Sequence, residues 1–366
     1  MLIYACISGH GFGHGSRSAA VLAELAALRP HWRLVISTAL PDSFLRLAFA
    51  AVPFERRECR WDVGVIQADA LAVDPAATLS ALEELDQQLP ALLERECAWL
   101  REQGTPIAVL GDVPPAAALL AGRLGVPLIW LASFGWDSIY EPMGGAFVER
   151  ARLARTLYAR GDLLLHCPLS LPMPWGIPSR LIGITSSRPR LDPDDLAHRL
   201  ALPRERQRVV LISFGGLGMR LDPALLRRWP DQVFIGPDPA LAGLPNGRTL
   251  PTGVRPLDLM PLAARLITKP GYSSFCEAFS QGVGIHLVHR DGFAEAPVLE
   301  QALRDHGDHR LLSEAQLRSG DWQLDQPLLP ARIGPLRLDG AAMAAEAIVQ
   351  HLHGRSGDPI SQRGKV

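Results

Sequence analysis

Short apolar runs without the in-out alternation of a half-buried strand recur along this chain, each followed by a stretch of helical character. Leu2–Ser8, Leu34–Thr38, Ile107–Gly111, Leu128–Ala132 and Leu163–Cys167 are of this kind. A strand that is apolar throughout is covered on both faces, which is the mark of a parallel sheet between helical layers. Helices are expected over Ser16–Leu28, Thr78–Arg101, Pro115–Leu124 and Pro142–Ala159. The alternation stops at 167–178, where prolines at 168, 172, 174 and 178 exclude a helix and suit an extended linker. It then restarts with strands expected at Val209–Ser213, Val233–Gly236, Arg265–Thr268 and Ile285–His289. Helices are expected at Leu257–Ala264, Ser273–Gln281, Ala296–Asp305 and Gly340–His353. The fold class is therefore α/β: two doubly wound, Rossmann-like domains, 1–178 and 179–354, with a cleft between them and a polar tail at 355–366. A length of 366 residues and a hydrophobic content of 48% are enough for two packed cores.

The formal net charge is −1, so the chain has no electrostatic footprint for nucleic acid. Five scattered cysteines without a C-x-x-C pair read as reduced thiols in a cytoplasmic protein. No signal peptide or transmembrane segment is expected, and peripheral membrane contact stays open. The basic stretch E-R-A-R-L-A-R-T-L-Y-A-R at 149–160 would suit an anionic surface, and equally a solvated helix face.

Three loops carry the chemistry. The first, S-G-H-G-F-G-H-G-S-R-S at 8–18, links the first strand to the first helix. Its glycines permit tight turns and close approach of a ligand. The spacing is not G-x-G-x-x-G, and Ser37 and Thr38 rather than an acid end the second strand, so a dinucleotide site is not expected. His10 and His14 have no Cys or carboxylate near them in sequence, and no metal is expected. His10 fits a turn residue or a sugar contact. His14, opening a helix in the cleft, suits general-base chemistry as a neutral imidazole. The second loop, S-F-G-G-L-G at 213–218, fits either a plain turn or a phosphate nest. The third, T-K-P-G-Y-S-S-F-C-E at 268–277, places backbone N–H groups of 271–274 at a helix start, where an anion binds. Glu277, one turn further in, is placed to accept both hydroxyls of a ribose, although Ser274 and Glu277 also have the spacing of a capping box.

The third loop resembles the donor signature of nucleotide-sugar-dependent glycosyltransferases of the GT-B fold. Against the plant-type H-C-G-W-N-S-x-x-E, the stretch K-P-G-Y-S-S-F-C-E keeps Gly271, an aromatic at Tyr272, Ser274 and Glu277 in frame. The D-Q pair that follows in that family is replaced by H-R-D-G-F-A-E-A-P at 289–297. The first loop is similar to the G-G-T-G-G-H of the bacterial peptidoglycan N-acetylglucosaminyltransferase, whose histidine falls on His14. The N-terminal, non-kinase half of L-arabinokinases is more similar still. It shares G-H-G-F-G-H-x-x-R, covering Gly9–His14 and Arg17, and its V-Q-A-D-A-L-x-V-D element resembles I-Q-A-D-A-L-A-V-D at 66–74. Its F-S-W-D-x-I-Y element resembles F-G-W-D-S-I-Y at 134–140, and its R-x-D-x-F-x-E-x-P element resembles R-D-G-F-A-E-A-P at 290–297, with one residue fewer here between Arg and Asp.

The resemblance implies a metal-independent transferase that takes a nucleotide sugar, a UDP-sugar, as co-substrate and needs no other cofactor. Gly271, Tyr272, Ser273 and Ser274 would hold the diphosphate and Glu277 the ribose. Gly253 and Arg255 would meet the base, and Gly215 and Gly216 would lie across the phosphates. His14 would act as base, with Asp112 orienting it or contacting the acceptor; helix capping before Pro114-Pro115 is the competing role for Asp112. His10, Gly13, Arg17, Trp136, Asp137 and Tyr140 would line the acceptor side, with Arg290, Asp291 and Glu295 near the sugar. Asp69 is a further acid of interest. The acceptor is not specified by any motif. Two other readings stand beside this one: an epimerase or hydrolase of nucleotide sugars on the same fold, and a non-catalytic sugar-nucleotide binding protein.

Overall fold

The computed structural model describes residues 1–66, 73–104, 107–215, 222–289 and 293–356. Gly216, Asp69, Arg290, Asp291, most of the 66–74 motif and the tail from 357 lie outside the described residues.

Thirteen strands are described. The first seven are β1 (Leu2–Ile7), β2 (Arg33–Thr38), β3 (Glu55–Glu58), β4 (Ile107–Asp112), β5 (Leu128–Ala132), β6 (Leu163–His166) and β7 (Ser179–Leu181). They form one parallel sheet in the order β3-β2-β1-β4-β5-β6-β7. The remaining six are β8 (Val209–Ile212), β9 (Val233–Gly236), β10 (Gly247–Thr249), β11 (Arg265–Thr268), β12 (Gly284–Val288) and β13 (His309–Leu312). They form a second parallel sheet in the order β10-β9-β8-β11-β12-β13. The helices are α1 (Phe12–Leu28), α2 (Asp42–Ala48), α3 (Pro75–Glu102), α4 (Ala117–Leu124), α5 (Trp136–Tyr140), α6 (Phe147–Tyr158), α7 (Pro193–Arg199), α8 (Pro256–Leu259), α9 (Tyr272–Ser280), α10 (Ala296–His306), α11 (Glu314–Ser319) and α12 (Gly340–Ser356).

The central strands are buried along their whole length, Leu2–Ile7 and Leu128–Ala132 among them, as their unbroken apolar sequences require. Several boundaries differ from expectation. The helix expected over Pro142–Ala159 starts only at Phe147, as α6, after a 3-10 turn at Glu141–Met143, because Gly144 and Gly145 take positive φ and interrupt the helix between them. The helix expected over Leu257–Ala264 shortens to α8 plus a 3-10 turn at Met260–Leu262, where Pro261 removes a backbone donor. The first sheet also runs past residue 178, since β7 pairs with β6. The C-terminal helix α12 crosses back to pack on α1 and β6 of the first unit.

Helix α1 begins at Phe12, four residues before the expected Ser16, so His14 sits inside its first turn. Gly11 caps that turn at φ 82°, a conformation that glycine adopts without strain. Gly13 and Gly15 are ordinary helical residues whose smallness serves packing. A Cβ at Gly13 would lie 3.2 Å from the Ser273 hydroxyl, and one at Gly15 would lie 2.4 Å from the Phe44 ring. Tertiary contact thus overrides the poor helix propensity of glycine.

Candidate functional site

Each sheet reverses its winding at its centre, between β1 and β4 in the first and between β8 and β11 in the second. Loops leaving the C-terminal ends at such a switch point diverge and leave a crevice where ligands bind. Four loops do so here: 8–11 after β1, Asp112-Val113 after β4, Ser213–Gly215 after β8 and Lys269–Gly271 after β11. The loops after β1, β8 and β11 line a cavity of about 500 Å³, with His10, Gly13, His14, Arg17, Gly215, Lys269, Gly271, Tyr272, Ser273, Ser274 and Glu295 among its lining residues. The first and third loops, 260 residues apart in sequence, thus face each other. The Ser273 hydroxyl donates to the Gly13 carbonyl at 2.7 Å, joining the start of α9 to the first turn of α1.

On the first-unit side the central group is Asp112, which is fully buried. Oδ1 accepts from His14 Nδ1 at 2.9 Å and from Arg17 Nη2; Oδ2 accepts from Arg17 Nε at 3.2 Å and from the Ser18 hydroxyl at 2.6 Å. Burial would push this carboxyl up, but the Arg17 charge and the hydrogen bonds from His14 and Arg17 outweigh it and hold it at about 2. An ionised carboxylate only accepts, so His14 Nδ1 carries the hydrogen, and in the neutral imidazole the lone pair is then on Nε2. Arg17 Nη2 also lies 3.2 Å from His14 Nδ1; two donors do not bond each other, and both are drawn to the shared oxygen. Directly after Asp112, Val113 stands at φ 81°, a strained conformation for a β-branched residue. The Tyr158 hydroxyl holds it by donating to its carbonyl at 2.7 Å. Strain of this kind concentrates at functional sites.

His10 lines the same cavity with its ring against Trp136, 5.2 Å between centroids and nearly perpendicular. Trp136, Asp137 and Tyr140 do not line the cavity; they stand one layer behind. Trp136 Nε1 donates to Asp62 at 2.8 Å, the Tyr140 hydroxyl donates to the Gly64 carbonyl at 3.0 Å, and Asp137 pairs with Arg155 at 3.3 Å. The F-G-W-D-S-I-Y motif therefore buttresses the wall that carries His10, where an aromatic lining was expected. Ser18, the last residue of the first loop, and Asp62 and Ser133, which no motif singled out, complete the polar support. Asp62 carries a second sign of its buried setting: desolvation raises its pKa. The arginines 150, 152 and 155 of the basic helix pair with Asp86, Glu149 and Glu141, so that face is charge-balanced at these positions.

On the second-unit side, α9 starts at Tyr272 with Gly271 as its cap and no side-chain cap bond, so the Ser274–Glu277 capping box does not form. The first helical bond runs from Phe275 N to Gly271 O. The N–H groups of 272–274 therefore have no acceptor within the helix and lie at the positive end of its dipole. Adjoining the main cavity, and sharing Phe12, Gly13, Gly215, Ser273 and Ser274 with it, is a second cavity of about 300 Å³. Leu250, Val254, Met260 and Phe44 give it apolar walls, while Ser187, Arg255 and Glu277 bring polar groups. Arg255 is engaged by Asp258, with Nη2 to Oδ1 at 2.6 Å, and braces the start of α8. Gly253 takes φ 82° beside this wall without lining it. Glu277 has no side-chain hydrogen-bond partner among the described residues; burial raises its pKa to about 7, with Arg255 opposing and Asp258 adding. No group of three His, Cys, Asp or Glu side chains fit for a metal occurs among the described residues. No helix among them is long and apolar enough to cross a membrane.

Comparison with known proteins puts this geometry in context. No family model matches the chain. The L-arabinokinase of Arabidopsis thaliana is 27% identical over 323 residues, 86% of this chain and 31% of that protein. The chain thus spans about a third of the length of this relative. Among solved structures, the calicheamicin glycosyltransferase CalG4 superposes with a TM-score of 0.64 at 19% identity, covering 98% of this chain and 99% of its own. Phytolacca americana UGT2, complexed with UDP-2-fluoro-glucose and pterostilbene, gives 0.61 at 12% identity, covering 99% and 96%. A UDP-glucose: anthocyanidin 3-O-glucosyltransferase in complex with UDP gives 0.59 at 14% identity, covering 97% and 95%. The fold is that of the GT-B glycosyltransferases. In this GT-B chain the crevice lies between the two sheets, where both switch points converge.

Proposed function

We propose that the protein is a glycosyltransferase that moves a sugar from a UDP-sugar to an acceptor hydroxyl. The observation that carries this reading is that His14 and the start of α9 line one cavity, with Glu277 in the adjoining one. The apolar walls of the smaller cavity take the nucleobase, and Glu277 accepts the ribose hydroxyls. The N–H groups of 272–274 and Lys269 receive the diphosphate. The acceptor enters past His10. His14 Nε2 takes its proton as the acceptor oxygen bonds to the anomeric carbon, and the bond from that carbon to the diphosphate breaks with its electron pair leaving on the phosphate. Charge developing on the leaving group meets the helix dipole and Lys269, so we propose that no metal is required. The five unpaired cysteines, all buried, support a cytoplasmic setting.

The test is a thermal-shift screen over nucleotide sugars, followed by assays for nucleotide release with and without EDTA. A UDP-sugar is expected to raise the melting temperature, Glu277→Ala to remove most of that rise, and turnover to survive EDTA. No shift with any nucleotide sugar sinks the donor site. Donor turnover without an acceptor marks the epimerase or hydrolase reading. Binding that is indifferent to His14→Ala, with no turnover, marks a binding protein.

A further inference from the structure

Arg17 lies in the motif shared with the arabinokinases, where a substrate contact is the natural expectation. The structure buries it almost completely, at 2% exposure, and engages its guanidinium inside the protein. Two of its nitrogens hold Asp112, and Nη1 donates to the Ser133 hydroxyl at 2.9 Å. The guanidinium carbon lies 5.2 Å from the centre of the Tyr272 ring, the first residue of α9. With His14 Nδ1 and Ser18, four donors fill both oxygens of Asp112.

The charge balance of this cluster is informative. A permanent cation, an anion and a neutral imidazole sum to zero, which is the state a buried site favours. Take the cation away and the buried carboxylate gains most by acquiring a proton. It obtains one either directly, becoming a donor towards His14 Nδ1, or by turning His14 into an imidazolium. In both cases His14 Nε2 carries a hydrogen and ceases to be a base. Asp62 is the other buried carboxyl near this loop. Burial raises its pKa, and it is bonded to Trp136. Tyr272 and Cys167, which also face Arg17, are both pushed up by burial and stay neutral.

We propose that Arg17 is a positioning residue that, by neutralising and saturating Asp112, keeps His14 in the Nδ1–H form with Nε2 free to accept a proton. The proposal rests on the reading of His14 as the base, but its test does not use turnover. Full-length protein labelled with ¹⁵N-histidine is examined at pH about 8, where ordinary imidazoles are neutral. The His14 signals are assigned by their loss in His14→Gln. Two-bond ¹H–¹⁵N correlations then report which ring nitrogen is protonated.

Wild type is expected to show the Nδ1–H tautomer. Arg17→Met and Arg17→Gln, either of which suffices if the other fails to fold, are expected to lose the unprotonated Nε2 signal. Arg17→Lys, which restores a cation without the fork, is expected to recover most of it. A folded neutral variant that keeps the wild-type tautomer overturns the proposal, as does a folded Arg17→Lys that fails to recover it. A protein that gives the expected tautomers yet shows no thermal response to UDP-sugars leaves Arg17 in this role and overturns the transferase reading alone.

Discussion

At the scale of single residues, the site depends on which carboxyl groups are ionised. Asp112 and Glu277 share a cleft and have opposite environments. Asp112 is paired with a buried cation and stays charged across the physiological range, whereas Glu277 is desolvated, has no side-chain hydrogen-bond partner among the described residues, and is pushed up to about 7 by burial. In the proposed donor site the consequence falls on donor binding. An ionised Glu277 accepts two hydroxyls, while a protonated one turns an oxygen into a donor and leaves a ribose hydroxyl without its acceptor. Affinity for UDP is therefore expected to fall as pH drops through about 7. The diphosphate itself titrates near pH 6 or so, but does so equally in a Glu277→Gln variant, which isolates the protein's share. Charged hydrogen bonds contribute about 1.5–3 kcal/mol, so Glu277→Gln should weaken UDP roughly tenfold or more at pH about 8. The two proteins should converge at pH about 6, as followed by titration calorimetry. Parallel pH dependences in wild type and variant would remove Glu277 from the donor site.

At the scale of elements, the alternation of strand and helix was legible because parallel strands buried on both faces leave no polar residues in the run. Strand β3 was not legible, since its sequence is Glu-Arg-Arg-Glu; it is an edge strand that exposes Glu55 and Glu58, which discourage pairing with another chain, while Arg57 pairs with the buried Glu96. The start of α1 was hidden for a different reason. Its glycines answer to Phe44 and Ser273, and no local pattern encodes a neighbour 260 residues away. The pairing of His14 with Asp112 was legible as two strand ends facing one cleft, but the role of Arg17 was not, because it depends on three elements meeting. The same logic identifies a position that looked unremarkable. Gly340 opens α12, and a Cβ there would lie 1.9 Å from the Gly183 carbonyl oxygen and 2.6 Å from that of Ile184. These are backbone atoms of the chain leaving β7, so they cannot swing aside. Gly340→Ala gains about 1 kcal/mol of helix propensity. It should nevertheless destabilise the protein by about 1–3 kcal/mol through overpacking, seen as a lower denaturant midpoint. An unchanged midpoint would show that α12 does not close against 183–184 as described.

At the scale of the whole molecule, two sheets of this size would ordinarily unfold as separate units, because contacts between domains of one chain are commonly small and polar. Here a single buried apolar cluster runs through both. It includes Ile3, Ile36 and Leu165 of the first sheet, Leu22 and Leu25 of α1, and Ala344, Ile348 and Leu352 of α12. It continues into Leu211, Leu266, Ile285 and Phe275 of the second unit. The polar layer above it is shared as well, through Arg17 over Tyr272 and Ser273 on Gly13. Removing either unit would expose the apolar flank of the other, and α12, last in the chain, is packed on the first helix. Calorimetry of the free protein should therefore show one endotherm in which the calorimetric and van't Hoff enthalpies agree. With the donor bound as proposed, touching both units, UDP should move that endotherm as a whole to higher temperature without splitting it. Two resolved transitions, with only the second-unit one shifted by UDP, would mean that the shared core does not couple the units and that α12 is a docked appendage rather than the closing element of the fold.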